Sequence, residues 1–391
     1  MPNTIPGFLK KVKKRRILVI SAGGVDGGIQ CLYFSISGDT WEIISHTSTP
    51  YPQKIATSFS TIFSSTPPAT TLQELSSLDL MVSSLFTEVA KTTLSRLPTA
   101  QRRPHVILLV KPTLWKGLIG DESSQRLWDL SLGDAQLLAS TLNAPVLTDF
   151  QRHNCIAGGQ GSLPTEHGNL RIAAMTGGTV AFINIGLVAR LTVVDTQGAS
   201  VLADSDCGPG TCCINSLMRR FQNGNGNEAF DRDGTIAAEG NVDGECLKKL
   251  SGDEWFSLQT PKTVSSTNQF DHLLDDSALN ALSFKDQLAT ITALTARTVY
   301  DIFRNACPES DTSLSVFLSG GGSHNQTLHR YLQTFFDTIQ VRSIEDLGIP
   351  ADMRIPLAFG LSINSWIRGE PLKWKTDQQS PLSIPGKWIL P

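Results

Sequence analysis

Arg16-Ile17-Leu18-Val19-Ile20-Ser21-Ala22-Gly23-Gly24-Val25-Asp26-Gly27-Gly28 is an apolar, β-branched run that breaks into a glycine-rich turn carrying one carboxylate. The run has the length of a buried strand. It is too short for a signal-peptide core or a membrane-spanning helix. Glycines directly after a strand let backbone N–H groups approach a phosphate, because no side chain intervenes. Asp26 in such a turn can hold Mg²⁺ through water. A plain hairpin turn is the other reading of the same residues. No Gly-Lys-Ser/Thr follows, so this is not a Walker A loop.

Outward from this stretch, strand–glycine units recur. Residues 29–37 and 40–47 read as further strands joined by a Gly38-Asp39 turn, which gives the sheet an antiparallel start. Residues 72–97 carry a helical period at Leu75, Leu78, Met81, Leu85 and Val89. A buried-type strand at 105–110, a helix at 134–142 and a strand at 145–148 follow, then a polar loop to about 164. The second half repeats the theme: strands at 179–186, 189–195 and 201–204, a Gly-Pro-Gly turn and a helix at 211–221. A long helix spans 284–306, and a strand at 315–319 ends in Gly320-Gly321-Gly322. Helices at 326–336 and 356–366 complete it, and the Pro- and Ser-rich end reads as a surface tail. The pattern is α/β, mixed sheets flanked by helices, in two weakly similar halves without a tandem repeat.

Three further turns can carry chemistry. Asp206-Cys207-Gly208-Pro209-Gly210 follows a strand and opens a helix, so Asp206 is either a general base, a metal contact or a helix cap. Ser319-Gly320-Gly321-Gly322-Ser323 can let a nucleotide lie against bare backbone, or can be a tight crossover. Gly158-Gly159-Gln160-Gly161 is a flexible loop, read as a hinge or a substrate loop. His153 has no partner at ligand spacing, Asp231-Arg232-Asp233 reads as a solvated loop, and no Gly-x-Ser-x-Gly elbow is present.

Composition bounds the rest. The 391 residues, 40% apolar and 18% charged, suit two domains of roughly 150–200 residues. A net charge of −3 asks for neither nucleic acid nor an anionic membrane. The basic run Lys10–Arg16 reads as a solvated leader, with nuclear targeting or a membrane contact as rivals. Seven cysteines without CxxC spacing fit reduced thiols rather than disulfides or zinc, so a cytoplasmic protein is expected.

Taken in order, these motifs resemble the anhydro-N-acetylmuramic acid kinases and the related levoglucosan kinases, of the actin–hexokinase superfamily, over residues 16–370. Ser21–Gly27 resembles the family's Ser-Gly-Thr-Ser-Leu-Asp-Gly loop. Asp149-Phe150-Gln151-Arg152-His153-Asn154 and Gly158–Leu163 are similar to its Asp-Phe-Arg-Arg-Arg-Asp and Gly-Gly-Gln-Gly-Ala-Pro-Leu segments. Asn184-Ile185-Gly186-Leu187, Asp206–Gly210, Phe230–Asp233, Pro261-Lys262-Thr263-Val264 and Gly320–Asn325 resemble five more. The resemblance implies a two-lobed RNase-H-like fold with a central cleft. Residues 1–148 plus 356–391 form one lobe and 149–355 the other, with hinges near 148 and 355. It implies ATP and Mg²⁺ as cofactors, and a small hydroxylated or anhydro-sugar substrate in the interlobe cleft. Relatives of this type often dimerise, so a homodimer is an option. Asp206 matches the base and Asp26 the Mg²⁺-linked carboxylate. Ser21, Gly23, Gly24, Gly27, Gly186, Gly208, Gly210 and Gly320–Gly322 match nucleotide positions, among them Gly321. Arg152, Asn154, Gln160 and Lys262 match the substrate side.

Departures from the pattern bear on function. Gly23 and Gly24 stand where hydroxyls are usual, Val110-Lys111-Pro112-Thr113 replaces His-Gly-Gln-Thr, and Leu187 replaces a glycine. Arg190 stands for an Asn, Ser266 and Thr267 for Arg and Glu, and Ile355 for a Glu. A rewritten sugar side implies a changed substrate. Three readings follow: a divergent ATP/Mg-dependent kinase, a cyclase- or isomerase-type enzyme using the cleft without ATP, and a non-catalytic pseudokinase.

Overall fold

The computed structural model describes residues 5–23, 28–64, 70–120, 126–221, 230–264, 268–307, 314–372 and 385–391. The chain divides into two compact units, Met1–Asn169 with Ile355–Pro391, and Leu170–Arg354.

The first unit opens with a short helix α1 (Gly7–Lys11) and the strands β1 (Lys14–Ala22), β2 (Ile29–Ser37) and β3 (Thr40–Thr49). These form an antiparallel meander whose β2–β3 turn uses Gly38 at φ +59°. Helices α2 (Gln53–Ser64) and α3 (Leu72–Ser95) lead to β4 (Val106–Val110). Thr71 and Glu74 start α3 with reciprocal bonds: Thr71 N–H donates to Glu74 Oε2 at 2.8 Å and Glu74 N–H to Thr71 Oγ1 at 3.1 Å. A separate hairpin, β5 (Thr113–Ile119) and β6 (Arg126–Ser131), lies outside the elements expected above. Helix α4 (Ala135–Leu142) then precedes β7 (Val146–Thr148), and α5 (Phe150–Ile156) and α6 (Glu166–Ala173) follow. Strands β4 and β7 run parallel to β1, giving the order β7-β4-β1-β2-β3. Its α3-facing core includes Leu18, Ile20, Tyr33, Phe86, Leu109 and Leu138.

The second unit repeats that plan. Strands β8 (Thr179–Ile185), β9 (Val188–Asp195) and β10 (Ser200–Pro209) form an antiparallel meander. Helices α7 (Cys212–Phe221), α8 (Thr235–Ala238), α9 (Gly244–Leu250), α10 (Ser277–Asn280) and α11 (Phe284–Ala306) follow. Strand β11 (Ser315–Ser319), helix α12 (Gln326–Phe336) and strand β12 (Val341–Ser343) complete a sheet of order β10-β9-β8-β11-β12. Strand β11 is parallel to both β8 and β12. Three meander strands followed by two parallel ones, in the order 3-2-1-4-5, is the RNase-H-like plan. It occurs once in each unit, which makes the chain a duplicated actin–hexokinase fold.

The last segment returns to the first unit through α13 (Arg354–Ile367) and β13 (Lys387–Ile389). Strand β13 pairs antiparallel with β7, so residues 387–389 form a sheet edge where a surface tail was expected, and residues 373–384 lie outside the described residues. The basic run differs from expectation as well. Lys14, Arg15 and Arg16 belong to β1, and Arg15 is buried, with Nε donating to Leu9 O at 3.0 Å and Nη1 to Asn364 Oδ1 at 2.9 Å. A guanidinium held this way is structural and unavailable to a receptor.

The first unit boundary falls inside α6, later than the 148/149 read from the sequence. The reason is local. Arg152 donates to the Asp129 carbonyl at 3.2 and 3.0 Å, Phe150 packs edge-on against Phe359, and Lys116 Nζ donates to Gln160 O at 3.0 Å. All of these tie α5 and the following loop to the first unit. The second boundary falls at Arg354/Ile355, beside the expected 355/356. All seven cysteines are buried and outside any disulfide. No helix among the described residues is long and apolar enough to cross a membrane.

Candidate functional site

Three glycine turns meet at the carboxyl end of the second unit's sheet. Strand β8 ends at Gly186-Leu187, β10 at Gly208–Gly210 and β11 at Gly320–Gly322, and these strands point the same way. Open α/β sheets bind ligands at such carboxyl ends. The turns interlock through backbone: Gly210 N–H donates to Leu187 O at 2.9 Å, Thr211 N–H to Gly186 O at 2.9 Å and Cys212 N–H to Leu187 O at 3.1 Å.

The glycines divide by what a side chain would meet. At Gly210 a Cβ would strike the Gly186 carbonyl, and at Gly322 the Ile185 side chain. Gly320 sits at φ +89°, with a Cβ 2.5 Å from Ile185 O. Gly208, at φ +145°, has Phe256 at 2.8 Å. These four are glycine because the protein itself fills the space. Gly186 and Gly321 differ. Their nearest neighbours to a Cβ among the described residues are at 3.6 and 3.8 Å, so a side chain there would make ordinary contacts and strike nothing.

Asp206 lies on β10 beside these turns and is buried. Its register partner on β9 is Arg190, and that of Asp204 is Thr192. Residues two apart on a strand share a face, so Asp204 and Asp206 point the same way. Arg190 bridges them: Nη1 donates to Asp206 Oδ1 at 2.8 Å, Nε to Asp204 Oδ1 at 3.0 Å and Nη2 to Asp204 Oδ2 at 2.8 Å. Thr192 Oγ1 donates to Asp204 Oδ1 at 3.0 Å. Burial works against the guanidinium's charge, yet the two carboxylates outweigh it and hold Arg190 above its ordinary value. Asp206 Oδ2 accepts from Val264 N–H at 2.9 Å. A carboxylate offers about four lone-pair sites, so each oxygen of Asp206 keeps acceptor capacity. The acid is oriented without being used up.

Lys262 supports this arrangement. Its N–H donates to Ser205 Oγ at 3.0 Å, and its carbonyl accepts from Asp206 N–H at 3.0 Å. Its ammonium donates to Trp255 O at 3.0 Å and Phe256 O at 2.8 Å and sits 4.3 Å from the centre of the Trp255 ring. Burial lowers its pKa. Caged in this way, Lys262 braces the segment that carries Val264.

The remaining sequence candidates lie in the first unit. Asn154 is fully buried, and its Oδ1 accepts from Gly161 N–H at 2.7 Å and Ser162 N–H at 3.1 Å. It holds the Gly158–Gly161 loop in place. Arg152 caps the Asp129 carbonyl and lies over the Trp128 ring at 5.3 Å, and Gln160 is exposed with its carbonyl held by Lys116. Ser21 is the penultimate residue of β1, and Gly23 N–H donates to Gly28 O at 2.9 Å. Gly24, Asp26 and Gly27 lie outside the described residues. The sequence also hid a pair: Lys111 forms a salt bridge with Asp149, both partly buried, at the ends of parallel β4 and β7. Among the described residues, no three His, Cys, Asp or Glu side chains gather closely enough to hold a metal.

Comparison with known proteins names the pattern. The family model for anhydro-N-acetylmuramic acid kinase matches residues 14–376. The anhydro-N-acetylmuramic acid kinase of Caldanaerobacter subterraneus is 27% identical over 373 residues, covering 91% of this chain and 92% of its own. That of Parasynechococcus marenigrum is 28% identical over 359 residues, covering 90% and 92%. That of Rhodopseudomonas palustris reaches 32% over 247 residues, covering 63% and 64%. Among solved structures, component A of the (R)-2-hydroxyglutaryl-CoA dehydratase of Acidaminococcus fermentans is 11% identical at a TM-score of 0.46, covering 90% and 99%. A sequence match that takes in the meanders of both units, both acid–cation pairs and all three glycine turns makes this chain a member of the anhydro-N-acetylmuramic acid kinase family, a family of kinase phosphotransferases.

Proposed function

We propose that the chain is an ATP-dependent phosphotransferase acting on a hydroxyl of a small anhydro-sugar-like molecule, with Asp206 as general base. The observation that carries this is the meeting of three glycine turns beside Asp206, two of them with a glycine whose backbone no neighbouring group crowds among the described residues. ATP fits that cradle: the backbone at Gly186 and Gly321 would lie against it, while Gly208, Gly210, Gly320 and Gly322 keep the turns tight enough. ATP supplies the phosphoryl group. For Mg²⁺ the described residues offer no donor set of their own, so the ion enters as part of Mg-ATP, with Asp26 its expected contact.

The chain's own residues then orient and move a proton. Asp206 takes a proton from the attacking oxygen onto Oδ1 or Oδ2. Arg190 and Val264 N–H fix the plane of its carboxylate. Transfer of this kind depends mainly on positioning and charge stabilisation, so a rigid, buried acid suits it. Arg190 in place of the family's Asn fits a substrate other than the parent anhydro sugar.

The test is ADP release across a panel of anhydro sugars and simple sugars. Asp206→Asn should lower turnover by about 10²–10⁴-fold, the usual worth of a general base, with Mg-ATP affinity kept. Equal turnover in parent and variant contradicts the assignment. The engagement of both Asp206 oxygens favours one rival, a nucleotide-binding protein without turnover. It would give saturable Mg-ATP binding and no ADP release from any sugar.

A further inference from the structure

We propose that the first unit carries a ligand site of its own, a cavity where β1 begins that takes the phosphate group of a small hydroxylated phosphomonoester. It lies at the end of β1 remote from Gly23 and does not depend on the kinase reading.

The site starts as a gap in the cover of the sheet. Arg16 shares a strand face with Leu18 and Ile20, and Ser35 with Tyr33, so all four are on the side that α3 packs. Helix α3 ends at Ser95, and Tyr33 closes that core by donating its hydroxyl to Gln101 O at 2.6 Å. Beyond it, Arg16, Ser35 and Glu42 stand in register across β1, β2 and β3. A serine between two long side chains leaves a hollow. The cavity measures about 450 Å³, with Gln101 and His105 on one side and Lys14 and Ile44 also lining it. Ligand-binding cavities run from about 300 to 1,000 Å³.

Donors gather here, and no protein group answers them. Ser35 is 2% exposed, yet it lines the cavity and its hydroxyl makes no hydrogen bond among the described residues. Arg16 Nη1 donates to Ala100 O at 3.2 Å, while Nη2 makes no hydrogen bond and the guanidinium has no ion-pair partner among the described residues. His105 Nδ1 accepts from Arg16 N–H at 2.9 Å, which leaves the ring proton on Nε2, again without a partner among the described residues. None of these three atoms is sealed from solvent. Lys14 comes no nearer than 3.9 Å to Glu42, beyond hydrogen-bond reach. Burial, and then the charges of Arg16, Arg103 and Arg15, lower the pKa of His105, as expected beside positive charge that no acid balances.

The arrangement selects the ligand. Two cations line the cavity with one acid, so it calls for an anion, bound by charge-assisted hydrogen bonds. Donors come from the floor at Ser35, from two positions on β1 and from the wall at His105. That spread suits an oxyanion with three free oxygens better than a planar carboxylate with two. Glu42, across Ser35 from Arg16, can accept from a hydroxyl, and Ile44 can lie against carbon. A small phosphomonoester with hydroxyls carries all of these groups.

The experiment is titration calorimetry of the full chain with glycerol 3-phosphate, glycerate and glycerol, on the parent, Lys14→Gln, Arg16→Gln and Arg16→Lys. The parent should bind glycerol 3-phosphate saturably, glycerate more weakly and glycerol not at all. Lys14→Gln and Arg16→Gln should each weaken glycerol 3-phosphate by about tenfold, the worth of a hydrogen bond to a charged group. Arg16→Lys keeps the charge and should recover most of that loss, which separates anion recognition from damage to β1. Absence of saturable glycerol 3-phosphate binding in the parent overturns the proposal. So does binding that Lys14→Gln and Arg16→Gln leave unchanged, which would place the anion elsewhere. Equal affinity for glycerate or glycerol overturns the choice of a phosphate group.

Discussion

Each unit carries an acid–cation pair towards the carboxyl end of its sheet, and the two pairs are built differently. In the first unit Lys111 meets Asp149 one to one, with side chains 12% and 11% exposed. In the second, one guanidinium serves two carboxylates, and Arg190, Asp204 and Asp206 are 31%, 21% and 10% exposed. The first pair is closed: charge is matched, and Asp149, in a left-handed conformation at φ +63°, is locked as the residue that turns β7 into α5. The second has acceptor capacity to spare beside the glycine turns. One strand plan thus supports a charge-matched end and an acid-rich end, and what separates them is the ratio of acids to cations.

The comparison is broken most directly by removing each cation. Lys111→Met and Arg190→Met should each destabilise their own unit by about 3–5 kcal/mol, because a buried acid is left uncompensated. Arg190 belongs at the lower end, being more exposed. Urea denaturation followed separately in each unit by site-specific fluorine labels measures this. Loss confined to one unit per variant sustains the account, and equal loss in both units argues against independent ends.

Next in size are the glycines of the acid-rich end. Gly320→Ala should cost about 2–3 kcal/mol, since its backbone conformation is strained for any side chain and a carbonyl stands in the way. Gly321→Ala should stay within about 0.5 kcal/mol of the parent. A pair of thermal melts decides it, and similar losses at both positions would erase the distinction between packed and open glycines.

Asn154→Ala comes third. It removes the acceptor for two backbone N–H groups and should cost about 1–3 kcal/mol in the first unit. Limited proteolysis should then cut near Gly158–Gly161. A resistant loop would mean that Asn154 does something other than hold it.

The smallest effect is a pH dependence in the first unit. Burial, and then the Arg16 charge, lower the pKa of His105, whose Nδ1 accepts from Arg16 N–H at 2.9 Å. A folded-state value below the ordinary 6.5 means the unfolded chain takes the proton first. Stability should therefore fall as pH drops below about 6.5. His105→Asn should flatten that decline, and an unchanged slope would assign it to other groups.

Much of this architecture was legible. Both meanders, α3, the three second-unit glycine turns and α11 follow from apolar period and glycine placement. Other features did not, three of them instructive. Lys10–Arg16 looks like a solvated run because charge alone does not reveal that Arg15 has a carbonyl and an Asn to donate to. The β5–β6 hairpin alternates weakly, since Trp115, Leu118, Trp128 and Leu130 are apolar yet exposed. Arg152, Asn154 and Lys262 read as substrate contacts by motif; in the structure Arg152 and Lys262 donate to backbone carbonyls, and Asn154 Oδ1 accepts from backbone amides. Side chains that hold a loop and side chains that hold a ligand use the same chemistry, and only the positions of their partners tell them apart. Asp204 was within reach of the sequence: Asp-Ser-Asp on a strand puts two acids on one face.

The most direct test of the central claim, that the carboxyl end of the second sheet holds a nucleotide, is titration calorimetry of Mg-ATP into the parent, Gly186→Ala and Gly321→Ala. Saturable one-to-one binding by the parent, weakened at least tenfold in both variants while their melting temperatures hold, is the predicted result. Absence of binding in the parent, or unchanged affinity in both variants, would contradict it.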